Sequence, residues 1–333
     1  MLNRVSLFAM GLAACLICVM SCDALGVILY SQADRNIARP GEADGGSGWD
    51  LQGCWGSLAG TPIGSQYFIT TKHGGNTAAT KFLFQGAEYS VDGTFNNGLG
   101  YVEQNDLRLW KITDSFSTWA RIYSGNQEVG QAATIFGRGV QRGQEVLDFR
   151  GNLRGWQWGA SDNSPVNGQN VQSWGRNAVS SVYSDATYGQ MLAFTFDADG
   201  IENECTLADG DSGGGVFMNV NGLWALIGVN TAVQSRFNTT NSGDGFDAAI
   251  FDARNLYYHG AADPNAWLRA SGSSAMPATA YASRLSSHVD FLDDYVPASE
   301  LYLVGETTVP EPATAGLMLV GAVVLLLSRR RAR

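Results

Sequence analysis

Apolar residues come along this chain in short bursts rather than long stripes. Lys81 to Phe84, Thr134 to Phe136, Met191 to Phe196 and Gly215 to Met218 are each a few aromatic, aliphatic or β-branched residues, set among clusters of Gly, Asn, Asp and Ser. Runs of that length bounded by turn formers are strand signals. From Leu107 to Ile112 the positions Leu107, Leu109 and Lys111 alternate with Arg108, Trp110 and Ile112, an imperfect period of two that still reads as a strand. The run Tyr67-Phe68-Ile69-Thr70-Thr71 is another, and it gives way to glycines just after His73. By contrast Leu285, Val289 and Leu292 recur at helical spacing, which predicts a helix there and puts His288 on its exposed flank. No short-period internal repeat points to a solenoid or a propeller. The pattern predicts an all-β body of two packed barrels, with the chain crossing between them near Ile122 to Val129.

The two ends follow a different logic. Arg4 precedes the apolar stretch Val5 to Met20 and a small-residue exit at Ala24, so residues 1–24 read as a secretory signal peptide. Leu12-Ala13-Ala14-Cys15 and Val19-Met20-Ser21-Cys22 each loosely resemble a lipoprotein cleavage box, although the apolar run continuing past Cys15 argues against the first. At the other end Val309-Pro310-Glu311-Pro312 leads into the apolar stretch Ala313 to Leu327 and then Arg329-Arg330-Arg331-Ala332-Arg333. That stretch of 15 residues is short of the ~20 that span a bilayer comfortably. The arginines bias the last end to the cytoplasm and leave the body, residues 25–305, outside.

Composition agrees with a folded body: 45% of residues are apolar, enough for a sizeable core. The net charge of −10 argues against nucleic acid as a partner. Cys15, Cys18 and Cys22 belong to the leader, so Cys54 and Cys205 are the cysteines of the body, and two separated cysteines leave open whether they are bridged. The scattered histidines show no metal-ligand spacing, and no metal or cofactor is expected. Asp197-Ala198-Asp199-Gly200-Ile201-Glu202 has some flavour of a calcium loop, but Asp/Gly turns explain it equally well.

Candidate chemistry centres on Gly210-Asp211-Ser212-Gly213-Gly214. Glycines let backbone amides crowd around a developing negative charge while a serine presents its Oγ beside them. Such a serine needs a base, and among His73, His259 and His288 the first stands where a strand meets a glycine turn. His259 and His288 read as structural or solvated. Asp106, at the head of the Leu107 strand, is placed to accept the histidine Nδ1 proton, with Asp92 and Asp114 as rivals.

The order His73, Asp106, Ser212, with the motifs around each, resembles the chymotrypsin-like (trypsin family) serine endopeptidases. The likeness rests on Gly60-Thr61-Pro62-Ile63, Thr70-Thr71-Lys72-His73, Asn105 to Leu109, Gly210 to Gly214, Leu226-Ile227-Gly228-Val229-Asn230-Thr231 and Arg284 to Phe291, and it covers most of the body. It implies two antiparallel β-barrels with a C-terminal helix, Ser212 as nucleophile, His73 as base and acid, Asp106 as its orienter, and the Gly210 and Ser212 amides as oxyanion hole. It further implies Thr206, Val229, Asn230 and Thr231 at the substrate, which would be a peptide or protein. In that family Asp211 pairs with a freed N-terminal amine; no clear activation sequence exists here, and Gly26-Val27-Ile28-Leu29 behind the signal is the candidate source. Thr206 stands where trypsin-like members carry an aspartate, so cleavage after Arg or Lys is not supported, and a neutral or apolar pocket is expected. The stretch Ser242 to Met276 is longer than the family has between its substrate strand and terminal helix. The tail resembles a PEP-CTERM sorting signal, which implies an exosortase-type enzyme as membrane partner, transient anchoring, and delivery to the cell surface or beyond. The alternative is a surface protein using the fold without turnover, in a binding or structural role.

Overall fold

The computed structural model describes residues 26–41, 47–75, 79–159, 171–260 and 263–305. The segments read as signal peptide and sorting tail lie outside them. Among the described residues no helix is long and apolar enough to cross a membrane.

The body is nearly all β. A seven-stranded antiparallel sheet runs in the order Ala87–Ser90, Lys81–Phe84, Gly53–Trp55, Leu58–Gly64, Tyr67–Thr71, Leu107–Lys111, Tyr101–Gln104. Its central strands Gly53–Trp55, Leu58–Gly64 and Tyr67–Thr71 are buried throughout because both faces are covered, whereas the edge strand Ala87–Ser90 is largely exposed. Phe68 and Trp110 point into an aromatic cluster with Trp55, Phe82, Phe84 and Phe116, where the Phe68 and Phe82 rings stack 4.0 Å apart. Tyr67, Ile69, Leu107 and Leu109 point the other way, into a cluster shared with Phe136, Phe217, Leu226, Val229, Phe291 and Leu292. That shared cluster joins the first sheet to a second.

The second sheet has nine strands on the path Ser173–Ala178, Ala132–Gly137, Gly215–Val220, Leu223–Val233, Thr279–Arg284, Gly189–Thr195, Ser181–Asp185, with Arg121–Tyr123 and Leu303–Val304 alongside in parallel. Ile122 therefore already belongs to this sheet, and the chain passes between sheets within residues 112–120, earlier than the expected 122–129. Ile122 pairs with Leu226 and is buried in the cluster shared by the two sheets, while Tyr123 is buried in a cluster with Leu192, Phe194 and Ala225.

The long stretch Ser242 to Met276 is built into a third sheet. It supplies Phe246–Ile250, Tyr257–Gly260 and Asp263–Arg269 to a six-stranded antiparallel sheet with Arg142–Leu147, Leu153–Trp158 and Arg236–Asn238. This sheet carries its own core of Val146, Phe237, Ala248, Ile250 and Leu256, braced by a buried ionic lattice. Arg154 pairs with Asp148 at 2.7 Å and with Asp252, and Arg254 pairs with Asp252 at 2.6 Å. Burial alone would raise the Asp148 carboxyl, but hydrogen bonds from Arg154 and Asn152 override it and hold it far below the usual carboxylate range. Removing one partner of a buried pair leaves an uncompensated charge, so Arg154→Ala is expected to cost about 3–5 kcal/mol. Urea unfolding would measure it, and a loss under about 1 kcal/mol would mean solvent reaches both carboxylates.

Thr279–Arg284 is followed by a 3-10 turn, Leu285–Ser287, and by Val289–Asp293, the one α-helix among the described residues. The helix is a turn and a half rather than a long amphipathic rod, and this corrects the expectation for His288. At its N-terminus the ring is turned inward and is 2% exposed. Cys54 and Cys205 are both buried, unbridged thiols.

Candidate functional site

Sheet register brings His73 and Asp106 together. Tyr67–Thr71 pairs antiparallel with Leu107–Lys111 so that Thr71 faces Leu107, and the strands are extended by a bond from the Lys72 amide to the Asp106 carbonyl at 2.6 Å. Asp106 occupies, with Asn105, the two-residue turn between Tyr101–Gln104 and Leu107–Lys111. Asn105 takes the left-handed conformation at φ +54, which asparagine tolerates better than most residues. The turn leaves the Asp106 side chain 3% exposed against the end of the histidine strand. Its Oδ1 accepts the His73 backbone N–H at 2.9 Å and its Oδ2 lies 2.8 Å from His73 Nδ1.

On the other side of the ring, His73 Nε2 lies 2.8 Å from Ser212 Oγ. An ionised carboxylate only accepts, so Nδ1 carries the proton, Nε2 offers its lone pair, and the Ser212 hydroxyl donates to it. The imidazole is thus set to take the hydroxyl proton, with a buried carboxylate behind it to stabilise the resulting cation. The rivals are elsewhere: Asp92 caps Thr94 and pairs with Lys111 at 3.4 Å, and the Asp114 carbonyl accepts from Gln66.

The serine loop bridges the two large sheets. The Ser212 carbonyl accepts from the Ala59 amide at 3.3 Å, and the Gly213 amide donates to the Asn230 carbonyl at 3.1 Å. Gly213 has φ +82, and a Cβ on it would lie 2.2 Å from the Ala59 carbonyl oxygen. Gly210, at φ +89, turns the chain before the serine. Among the described residues the Gly210 and Ser212 amides make no hydrogen bond of their own.

Asp211 is fully buried, and both its oxygens are occupied by backbone amides: Oδ1 accepts from Gly139 at 2.7 Å and Oδ2 from Ala208 at 2.8 Å. Gly139 and Gly137 make room for it, since a Cβ on Gly137 would lie 1.9 Å from Oδ1. In the uncleaved chain neither Asp211 oxygen is bonded to the segment Gly26-Val27-Ile28-Leu29, the expected source of an amine. Val27, Ile28 and Leu29 are buried, and Ile28–Leu29 pairs with Cys205–Thr206.

Burial lifts the Asp211 carboxyl to about 7, against the amide bonds and the charge of Arg35, and lifts Glu204 to about 8. Between about pH 4, the ordinary carboxylate value, and these raised values the native state holds protons that the unfolded chain has lost. Native-state stability therefore falls as pH rises through that window. Asp211→Asn should flatten the part of this slope below pH 7 and Glu204→Gln the part extending to pH 8; unfolding curves across the window would show it, and unchanged slopes would refute it.

The remaining predicted site residues separate. A cavity of about 130 Å³ beside Ser212 is lined by Trp158, Leu207, Ala208, Asp209, Asp211, Asn230, Thr231, Ala232 and Val233. Asn230 and Thr231 reach it, but the Asn230 amide is committed to the Phe136 and Asp211 carbonyls at 2.7 and 3.1 Å, so it braces the serine loop. Thr231 Oγ1 bonds to Ser283 Oγ at 2.8 Å. The structure does not bring Thr206 or Val229 to this cavity: Thr206 pairs with Ile28, and Val229 with Gly215 and Ser283. Leu207, Ala208 and Val233 adjoin segments that the sequence already marks. Trp158 comes from the six-stranded sheet and carries no local signal.

His288 packs behind the Asp106 turn. Its Nδ1 lies 2.8 Å from the Arg284 carbonyl and its Nε2 3.1 Å from Asn105 Oδ1. Burial depresses the His288 pKa, so the ring serves as a neutral brace. His259 packs on Trp267, ring centroids 3.9 Å apart. Among the described residues no group of three or more His, Cys, Asp or Glu is arranged to hold a metal ion.

No protein-family model matches the chain, and no curated protein does. Among solved structures it is similar to the passenger domain of plasmid encoded toxin, an autotransporter enterotoxin from enteroaggregative Escherichia coli, at 14% identity and a TM-score of 0.41. The match covers 74% of this chain and 22% of that one, so the chain spans less than a quarter of that structure's length.

Proposed function

We propose that the protein is a serine endopeptidase of the chymotrypsin-like kind, cleaving peptide bonds through an acyl-enzyme at Ser212. The reading is carried by one observation: a continuous hydrogen-bonded relay from Asp106 through His73 to Ser212, 2.8 Å at each ring nitrogen, assembled from three separate segments. In this reading the seven-stranded and nine-stranded sheets are the two halves of the fold, with the relay where they meet. Ser212 Oγ attacks the scissile carbonyl carbon as its proton passes to His73 Nε2. The Gly210 and Ser212 amides receive the developing oxyanion. His73 then protonates the departing amine, and water, deprotonated by the same nitrogen, releases the acid and restores Ser212.

Trp158, Leu207, Ala208 and Val233 give the cavity apolar walls, and the Asp211 oxygens are already taken by backbone amides, which together favour an uncharged side chain at the cleaved bond even with Asp209 in the lining. At about 130 Å³ the space compares with the apolar cavity of about 150 Å³ that takes a benzene ring, which suits small aliphatic residues. In this reading the activity works outside the cytoplasm and an exosortase-type enzyme handles the tail, a reading supported by the signal-like residues 1–24 and the sorting-signal-like tail. Exposure to a fluorophosphonate probe, followed by peptide mapping, tests the reading: a covalent adduct on Ser212 is expected, absent after Ser212→Ala. An unlabelled wild-type protein across pH 6–9 would favour a binding or structural role.

A further inference from the structure

The six-stranded sheet holds a second cavity, of about 640 Å³, which shares no lining residue with the one beside Ser212. Arg150, Asn152, Arg154, Arg254, Asn255 and Arg269 line it. Four guanidiniums around one space are out of keeping with a chain of net charge −10. The charges of Arg154 and Arg254 are answered by Asp148 and Asp252. Those of Arg150 and Arg269 meet no acidic partner among the described residues. Each instead lies 5.2 Å from the centre of the Phe149 ring, which is 64% exposed.

Two cations gathered on one ring repel each other, and an anion between them reverses the sign of that interaction. The cradle behind them is built rather than fluid. Arg154 is 9% exposed, and Asn255 ties Asp148 to Arg269 through bonds of 3.0 and 2.9 Å. Guanidinium forks match tetrahedral oxyanions in geometry and charge. We propose that this cavity binds a doubly charged oxyanion, as inorganic phosphate or as a phosphate monoester. The site stands independently of any reaction at Ser212.

Calorimetric titration of the purified protein with inorganic phosphate and, separately, with glycerol 3-phosphate, at ionic strength fixed by sodium chloride, tests this. Saturable binding of either probe is expected, weakened about tenfold or more in the Arg150→Gln/Arg269→Gln double variant. Tighter binding of glycerol 3-phosphate would identify an ester as the natural form, and equal or tighter binding of phosphate the free ion. Both residues are exposed, so the variant's melting temperature should match wild type; if it does not, the two single variants carry the comparison. Wild-type-like affinity in the variants, or saturable binding of neither probe, overturns the proposal.

Discussion

Ser212→Ala is expected to lower kcat on a peptide substrate by about 10⁶-fold while KM changes little. In the proposed mechanism the hydroxyl is the atom that forms the acyl bond, and no other nucleophile in the loop can replace it. The contacts that shape the loop are made by backbone: the Ser212 carbonyl to the Ala59 amide, the Gly213 amide to the Asn230 carbonyl, and the Gly214 amide to the Asp211 carbonyl. All survive the substitution, so the fold and the two free amides remain. Residual turnover of about 10³–10⁴ over the uncatalysed reaction is expected from oxyanion stabilisation and binding alone. Steady-state kinetics on one peptide decides it, and activity within tenfold of wild type would remove Ser212 from the mechanism.

Asp106→Asn should cost about 10⁴-fold in kcat with little loss of stability. Asparagine keeps an oxygen for the His73 backbone N–H, now held by Oδ1 at 2.9 Å, so the turn persists. Its NH2 group, however, faces Nδ1 as a donor, and the ring answers by moving its proton to Nε2. A protonated Nε2 cannot accept from Ser212 Oγ, so the base is lost while the geometry is kept. Asp92→Asn and Asp114→Asn, whose side chains lie outside the relay, should leave kcat unchanged. An equal loss in either would show that the carboxylate acts by general charge rather than through the His73 contact.

Much of the site was legible in the residues themselves, for reasons that differ from one to the next. The glycines at 210, 213 and 214 advertise a loop with positive φ and close backbone approach, and Gly210 and Gly213 adopt it. His73 was marked by its place at a strand end, and Asp106 by its place before a strand. What made these two a pair was the register of Thr71 against Leu107, which no local pattern specifies. The imperfect alternation from Leu107 to Ile112 has a similar cause: Leu109 and Trp110 face different cores, so both faces select apolar side chains.

The misreadings share one origin. His288 was placed on an exposed flank by a helical period, but the helix is too short for that period to govern, and contact with Asn105 turns the ring inward. Thr206, which the resemblance puts at the substrate, pairs with Ile28, and the next residue, Leu207, is the one that lines the cavity. What the extra length of Ser242 to Met276 builds was not legible, because its strands find partners, such as Leu153–Trp158, far away in sequence.

By itself the sequence determined the β class, several of the strands, and His73 and Ser212 as candidates with Asp106 one of three carboxylates in contention, because backbone propensity, two-residue periodicity and glycine conformation act over a few neighbouring residues. The tertiary structure alone decided which carboxylate met the histidine, what occupied Asp211, which side chains lined the cavity beside Ser212 and where four arginines gathered. Those outcomes depend on long-range strand register and on the burial that follows from it, and neither is encoded in any short stretch of the chain.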